Sequence, residues 1–160
     1  RMRDAAHAHP TAAELLKPGL LTEQSFWWID PETGLLRRGR SDVLRPDMRV
    51  ILDVKTTVDA SPEGFAHNAG KLKYHWQDAY YRDGIAATAG WAPEAFIFIA
   101  IEKEPPFLVA TYELDPAAVE AGRDQVRDQL RRYAECLKAD DWPGYSDALE
   151  TLYLPEWATR

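Results

Sequence analysis

The sequence is 160 residues long, and its 46% hydrophobic and 28% charged residues are typical of a globular protein rather than a disordered or fibrous one. A net charge of −7 argues against a surface that coats nucleic acid generally, although it leaves room for a local basic track. A single cysteine, Cys136, excludes a disulfide framework and any zinc or iron–sulfur cluster built on thiolates.

The N-terminal stretch is predicted to be helical over residues 2–16, with an interruption at Pro10. Thr11 is the expected N-cap of the second part, with Glu14 placed for a capping box. The chain begins at Arg1 rather than at methionine, and we expect a single domain that lacks its N-terminal segment. We also expect a cytoplasmic protein without a membrane partner, because the sequence contains no signal-peptide pattern and no apolar run of membrane-spanning length.

The next segments predict an antiparallel meander of three strands. Aromatic and β-branched residues favour strands over 20–29, 35–44 and 49–57, separated by turns rich in proline, aspartate and glycine. Beyond them, helical spacing alternates with apolar strand patterns, and the run 95–102 is typical of a central strand covered on both faces. The later predicted elements are helices over 62–69, 73–89 and 115–138, strands over 95–102 and 107–114, and a packed aromatic tail over 142–157 with one helical turn. This order predicts an α/β (or α+β) fold with a mixed central sheet flanked by helices.

The third predicted strand carries the charged residues of most interest. Alternation places Ile51, Asp53 and Lys55 on one face of the strand, where a buried charge is costly unless it is paired or holds a metal. Asp42, near the end of the second strand, would lie across from Asp53. Two such carboxylates repel each other, and magnesium or manganese, rather than zinc, would relieve the repulsion. The alternative reading is an ordinary ion pair on a half-exposed strand, with Asp42 as a solvated acid.

The helix over 73–89 offers a second group of polar side chains. Gln77 and Tyr81 are four residues apart and share a face with Tyr74. A glutamine there can hydrogen-bond a phosphate, a base edge or a metal-bound water, and Lys55 would bring positive charge to the scissile phosphate or the attacking water. The alternative for the two tyrosines is a place at the edge of the core.

Acidic and basic residues around the hairpin extend this candidate site. Glu23 is either an additional acid of the site or a charge on an exposed strand face. A group of arginines and two lysines predicts a DNA-backbone track, or alternatively a salt-bridged strand surface. The members of this basic group are Arg37, Arg38, Arg40, Arg45, Arg49, Lys71 and Lys73, of which Arg40 and Lys73, together with Tyr81, are the expected substrate contacts. We expect Trp27, Trp28 and Trp76 to be core or interface residues. His75 is expected at the surface or in packing, and His7 and His9 are expected to be solvated.

These residues resemble a known family. Asp42 followed by Asp53-Val54-Lys55 is similar to the PD-(D/E)xK nuclease signature, with Asp in place of the more frequent Glu. The runs ILDVKTT over 51–57 and YHWQDAYY over 74–81, with LYLPEW over 152–157, resemble the RecE-like exonucleases (exonuclease VIII). Those enzymes are related to phage lambda exonuclease and to RecB-type nuclease domains. The pattern Gln77-x-x-x-Tyr81 resembles an extra motif of the RecB-type branch.

The resemblance implies a PD-(D/E)xK nuclease-like core and a metal-dependent exonuclease that degrades one strand of duplex DNA from its 5′ end in recombination. It also implies a 3′ overhang for a single-strand annealing partner, and a homo-oligomeric ring through which DNA threads. Asp42 and Asp53 would hold Mg²⁺, for which Mn²⁺ could substitute, with the Val54 carbonyl as a further ligand. In this family picture, Lys55 would orient or activate the water, and Gln77 would position the substrate or Lys55.

One departure from the family pattern leaves alternatives open. RecE-like enzymes carry a histidine metal ligand on a helix upstream of the first Asp, and neither His7 nor His9 stands in the expected surroundings. A catalytically silent module for DNA binding or assembly is therefore one alternative. An endonuclease is another, because the fold does not fix the substrate.

Overall fold

The computed structural model describes residues 1–159, which form a five-stranded sheet with helices packed on both faces. In chain order the strands are β1 (Leu21–Ile29), β2 (Leu36–Arg45), β3 (Val50–Thr57), β4 (Ala95–Glu102) and β5 (Val109–Glu113). The helices are α1 (Met2–Ala8), α2 (Pro10–Leu15), α3 (Pro62–Lys71), α4 (Tyr74–Thr88) and α5 (Pro116–Ala139), followed by a short 3₁₀ helix over Glu156–Ala158. Within residues 1–159, no helix combines the length and the apolar character needed to cross a bilayer.

The spatial order of the strands is the same as their order in the chain. β1, β2 and β3 pair antiparallel, which confirms the predicted meander, whereas β3 and β4 pair parallel and β4 and β5 antiparallel. The connection between the parallel strands runs through α3 and α4. The apolar run of β4 is buried, and Phe96 and Phe98 on one face and Ile99 on the other are completely inaccessible. A mixed sheet with a fully covered central strand is therefore confirmed.

Side-chain alternation along β3 sets the two faces of the sheet. Ile51 packs in the cluster under α3 and α4, whereas Val50 and Leu52 pack with Leu15 of α2 on the opposite face. Asp53 and Lys55 have the same parity as Ile51. The predicted alternation is thus confirmed, and it directs both charged side chains towards α4.

Two glycines, Gly84 and Gly39, let α4 and β2 approach the aromatic side chains of β1 closely. A Cβ atom on Gly84 of α4 would lie 2.5 Å from the Phe26 ring and 2.7 Å from the Trp28 ring, and one on Gly39 of β2 would lie 2.4 Å from the Phe26 ring. The two aromatic residues of β1 therefore occupy the volume that side chains at Gly84 and Gly39 would need. This packing fixes the height of α4 above the strands that carry the site.

Two local predictions at the N-terminus and β5 are wrong. The N-cap of α2 is His9, whose Nδ1 accepts a hydrogen bond from the Ala12 amide at 3.2 Å, and not Thr11. Pro10 occupies the first helical position, so the cap moves to the residue before it. The last strand begins at Val109 rather than at residue 107, and Phe107 has a left-handed backbone with φ of 61°.

The C-terminal tail is exposed, and the predicted packing of 142–157 is wrong. Leu149 is 103% exposed and Trp157 is 80% exposed, whereas the predicted single helical turn is present at Glu156–Ala158. The start of the tail contacts α5 through the ring of Trp142, which packs 5.4 Å from the ring of Tyr133. The apolar stripe of α5 is accordingly buried at Val119 and Val126 but exposed at its C-terminal end.

Candidate active site

Asp53 is a buried carboxylate in the middle of β3. It is 3% exposed, and the Gln77 side chain of α4 donates a hydrogen bond to its Oδ1 at 2.5 Å. Its Oδ2 lies 2.7 Å from the Lys55 ammonium, but this oxygen receives no hydrogen bond of acceptable geometry within residues 1–159. We treat the contact as an ion pair, because the distance is short and the charges are opposite. Burial raises the pKa of Asp53, and the Asp42 carboxylate adds to the rise, while Lys55 and Gln77 act in the opposite direction.

Asp42 lies beside Asp53, as the strand register requires. β2 and β3 pair Val43 with Leu52, and one step further in that register Asp42 faces Asp53. The Asp42 side chain is oriented by the Val54 amide, which donates a hydrogen bond to its Oδ2 at 3.0 Å. The structure thus brings Asp42, Asp53 and Val54 together at one place on the sheet, with Val54 38% exposed.

Lys55 is held by three neighbours. Besides the Asp53 oxygen, its ammonium donates a hydrogen bond to Gln77 Oε1 at 2.9 Å and lies 4.7 Å from the centre of the Tyr74 ring. Tyr74 is itself stacked on Phe98, with ring centres 5.4 Å apart. The lysine side chain is 21% exposed, so its charge is oriented by the protein and still reaches solvent.

Gln77 connects the two charged side chains of β3. Its amide nitrogen donates to Asp53 and its amide oxygen accepts from Lys55, so both ends of the amide are used. The sequence placed Gln77 on the helix face of Tyr74 and Tyr81, but it did not show that this face lies over Asp53 and Lys55. The family resemblance suggested a role for Gln77 in positioning Lys55, and the three-residue spacing from Tyr74 to Gln77 is consistent with a shared contact.

Contacts behind the site hold α4 in place. Asp78 is fully buried and pairs with Arg82, whose guanidinium also reaches Glu113 on β5 at 3.2 Å. Burial raises the pKa of Asp78, an effect that the neighbouring Arg82 opposes. On the other side, Gln125 of α5 accepts a hydrogen bond from the Trp76 indole at 2.5 Å. The Asp78–Arg82 pair has the i,i+4 spacing of a single helix, whereas the contacts with Glu113 and Gln125 did not follow from the sequence, because each joins residues from different elements.

The predicted substrate contacts lie around this centre but are not all alike. Tyr81 is half-buried with its ring edge-on to Phe26, and burial raises its pKa. Arg40 is exposed and forms an ion pair with Glu23 at 3.0 Å. Lys73 is exposed, has a left-handed backbone at the start of α4 and places its ammonium 5.3 Å from the Trp76 ring centre.

Glu23 points to the arginine rather than to the two aspartates. Its side chain is 61% exposed, and its backbone φ of 53° is unusual for a residue within a strand. In the β1–β2 register, pairing passes from Thr22↔Val43 to Gln24↔Ser41, and Asp42 is the residue opposite Glu23. We therefore describe Glu23 as the residue at which β1 departs from regular pairing beside Asp42.

The predicted basic track is wrong for two of its members. Arg37 is 6% exposed, lies between the rings of Trp28 and Tyr80 at 4.6 and 4.2 Å, and pairs with Asp30. Arg45 is also 6% exposed and pairs with Asp47. Both are structural residues that cannot meet a DNA backbone. Arg49 is exposed but pairs with Glu94 at 3.6 Å, whereas Arg38, Lys71 and Lys73 are exposed and have no ion pair within residues 1–159.

The tryptophans and histidines have varied positions. Trp28 is buried and Trp76 half-buried, as core or interface residues should be, but Trp27 is 57% exposed. His7 is exposed, and His9 uses its ring nitrogen to cap α2. Within residues 1–159 there is no cluster of three or more His, Cys, Asp or Glu side chains arranged to hold a metal.

Comparison with solved structures shows the fold. The chain aligns with a protein from Eubacterium rectale that is named as a candidate exonuclease, with a TM-score of 0.70 and 11% identity over 99% of this chain and 62% of that chain. This chain thus spans less than two thirds of that protein. It also aligns with SSO0001, with a TM-score of 0.45 and 18% identity over 86% of this chain and 59% of that chain, a similarity too low to carry an argument. No curated protein matches the sequence significantly.

Comparison with family models is more specific. The model described as a PDDEXK-like domain of unknown function (DUF3799) matches residues 1–155. This match covers β2, β3 and α4, and so includes Asp42, Asp53, Lys55 and Gln77. The fold, a mixed five-stranded sheet flanked by helices, is the PDDEXK-like nuclease fold that the sequence predicts. The chain therefore belongs to the PDDEXK-like domain family DUF3799.

Proposed function

We propose that this chain is the catalytic domain of a metal-dependent deoxyribonuclease that hydrolyses phosphodiester bonds in DNA. The observation that carries the proposal is the environment of Asp53, a buried carboxylate set between the Asp42 carboxylate, the Lys55 ammonium and the Gln77 amide. A strand of a purely structural sheet gains nothing from burying such a charge. The family match and the nuclease-like fold support the same conclusion.

The donor atoms of the site fit a hard divalent cation. Asp53 Oδ2 is buried without a well-formed hydrogen bond, and its carboxylate stands beside a second carboxylate of like charge. Asp42, Asp53 and the Val54 carbonyl would hold Mg²⁺, which commonly takes one or two carboxylates and keeps several waters, and Mn²⁺ would substitute for it. Such an ion supplies Lewis-acid polarisation of the phosphate and a more acidic bound water.

The chain's own residues supply positioning and positive charge. Lys55, held by Asp53 and Gln77, would orient the attacking water or stabilise the negative charge that develops on the scissile phosphate. Gln77 fixes the relative positions of the Asp53 carboxylate and the Lys55 ammonium, because its one planar amide bonds to both. Arg40, Lys73 and Tyr81 lie around this centre and would contact the DNA.

Within this function, we assign the chain to the RecE-like type, a 5′→3′ exonuclease on double-stranded ends that serves recombination. The support is the sequence resemblance over the β3 and α4 runs. A homo-oligomeric ring and an annealing protein as partner belong to the same proposal. The chain spans 62% of the Eubacterium rectale protein, so substrate, polarity, assembly and partner all stay within this proposal.

The test is hydrolysis of end-labelled linear duplex with added MgCl₂, compared with closed circular DNA. We expect cleavage of the linear duplex only, loss of cleavage in Asp53→Asn, and a reduction of about 10²–10³-fold in Lys55→Ala. Asp124→Asn is the matched control, since Asp124 is an exposed carboxylate on α5 and should leave the rate unchanged. Full activity in Asp53→Asn would reject the assignment, and equal cleavage of circular DNA would make the chain an endonuclease.

One observation favours a second candidate, a catalytically silent DNA-binding or assembly module of the same fold. Within residues 1–159, no third His, Cys, Asp or Glu side chain joins Asp42 and Asp53 in a cluster that could hold a metal. Calorimetric titration with MgCl₂ separates the candidates. A nuclease site should bind the ion in the wild type and lose binding in Asp53→Asn, whereas a silent module should show no difference between the two.

A further inference from the structure

A groove between α4 and α5 lies next to the candidate active site. It encloses about 640 Å³, and the start of the C-terminal tail forms one of its ends. Five of its lining residues are aromatic, and two of these, Tyr133 and Trp142, are about half exposed. The five aromatic residues are Trp76, Tyr80, Tyr81, Tyr133 and Trp142. Their rings make the groove an aromatic surface rather than a general apolar one.

The charge of the groove differs from that of the rest of the molecule. The chain has 26 acidic residues, yet the groove lining contains none and has one arginine, Arg132. Two neighbouring cavities, beside β1 and beside β5, are lined by several carboxylates. The lining of the groove therefore offers no carboxylate that would repel a polyanion at contact distance.

The groove adjoins the site. Gln77 lines the groove and also bonds to Asp53 and Lys55, so one side chain belongs to both. Lys73 is exposed and lies over the ring of Trp76, which places a cation beside the groove near α4, while Arg132 supplies one from α5. The aromatic faces suit the stacking of bases, and the two cations suit the binding of phosphates.

We propose that the groove between α4 and α5 is a stacking site for unpaired nucleotides of a DNA strand that reaches the Asp42–Asp53–Lys55 centre. This inference rests on the proposed nuclease function and adds a strand-binding site to it. Bases of a single strand expose both faces to aromatic rings, whereas paired bases in a duplex do not. The volume is within the range of pockets that enclose nucleotide-sized ligands.

The other occupant to consider is the apolar tail of a second copy of the chain. Leu152, Tyr153 and Trp157 are strongly exposed and would suit an apolar groove. An apolar tail, however, would explain neither the two cations at the groove, Arg132 and Lys73, nor the shared contact of Gln77 with the candidate active site. We therefore favour the DNA strand, and the experiment below includes an outcome for the tail.

The test measures binding of a short fluorescent oligothymidylate and of an abasic strand of equal length, both in EDTA so that hydrolysis cannot interfere. We expect the wild type to bind the base-containing strand more tightly. Tyr133→Ala should weaken that binding by about fivefold or more without affecting the abasic strand, whereas Tyr133→Phe should retain it. Tyr145→Ala is the control, because Tyr145 is 110% exposed and lies outside the groove.

Three results would overturn the proposal. The first is equal affinity of the wild type for the two strands, and the second is equal weakening of both strands by Tyr133→Ala. The third is a fall in oligomeric mass in Tyr133→Ala with unchanged strand affinity, which would make the groove a contact between copies. Trp142→Ala replaces Tyr133→Ala if circular dichroism shows the latter to be unfolded. If the protein cleaves DNA but binds the two strands equally, the stacking proposal is rejected and the nuclease function is kept. If it prefers the base-containing strand but cleaves no DNA, the nuclease function is rejected and the stacking site is kept.

Discussion

At the scale of single residues, Asp53 carries a charge that the folded protein disfavours. Burial raises its pKa in the folded state, so its contribution to stability is fully present below the unfolded-state pKa and is lost as the pH rises through the folded-state value. We therefore expect Asp53→Asn to raise Tm at neutral pH in metal-free buffer, on a scale of about 2–4 °C for each kcal/mol. The difference should disappear in acid, which thermal melts followed by circular dichroism across pH would detect.

The same residue predicts an effect of metal on stability. A cation that binds the folded protein stabilises it, so MgCl₂ should raise the Tm of the wild type. Asp53→Asn should show no such response, because one of the two carboxylates has lost its charge. The same melts, repeated with MgCl₂ and then with EDTA, check this. An equal rise in both proteins would mean that the ion binds elsewhere.

Tyr74 is predicted to act through Lys55. Its ring lies 4.7 Å from the lysine ammonium, and a cation–π contact of this kind contributes about 0.5–2 kcal/mol. Tyr74→Leu should therefore lower kcat by about 2–30-fold, whereas Tyr74→Phe, which keeps the aromatic face, should remain close to the wild type. Single-turnover cleavage rates of the two variants test this. Equal losses in both would indicate that the hydroxyl group, and not the ring face, is what matters.

At the scale of elements, the crossing of α4 and α5 depends on Gly122. A Cβ atom there would lie 2.2 Å from the His75 carbonyl oxygen, which is backbone and cannot turn away. Gly122→Ala should cost about 1–3 kcal/mol of unfolding free energy, and it should also lower activity because α4 carries Gln77. Gly70→Ala is the matched control, since nothing lies within 4 Å of its added Cβ. Urea unfolding of both variants measures the difference.

The elements also show what the sequence can and cannot predict. β4 was predictable over its full length because a short uninterrupted apolar run is typical of a strand buried on both faces. β3 was predictable from the alternation of its side chains. Asp42 could be placed beside Asp53 from the antiparallel register alone. The burial of Arg37 could not be predicted, because the rings of Trp28 and Tyr80 that enclose it come from two different elements. The tail over 142–157 was wrongly predicted to be packed, because its aromatic composition does not show whether the rest of the fold offers a surface for it to pack on.

At the scale of the whole molecule, few cations are free to contact DNA on a chain of net charge −7. Arg37 and Arg45 are buried and paired, which removes them from any backbone contact. Near the site and the groove, the exposed cations without an ion pair in residues 1–159 are Arg38, Lys71, Lys73 and Arg132. Binding to duplex DNA should therefore depend on salt only moderately.

We expect a slope of log K against log salt concentration no steeper than about −4.5, which corresponds to roughly five neutralised phosphates, one for each of these four cations and one for Arg40. Lys73→Gln and Arg38→Gln should each make this slope shallower by about 1. Arg45→Gln should leave the slope unchanged and lower Tm instead, because Arg45 donates a hydrogen bond to the Leu15 carbonyl at 2.8 Å and pairs with Asp47. Fluorescence anisotropy at several salt concentrations measures all three. A shallower slope in Arg45→Gln would show that the buried guanidinium reaches DNA after all, and would require its contact with Leu15 of α2 to open on binding.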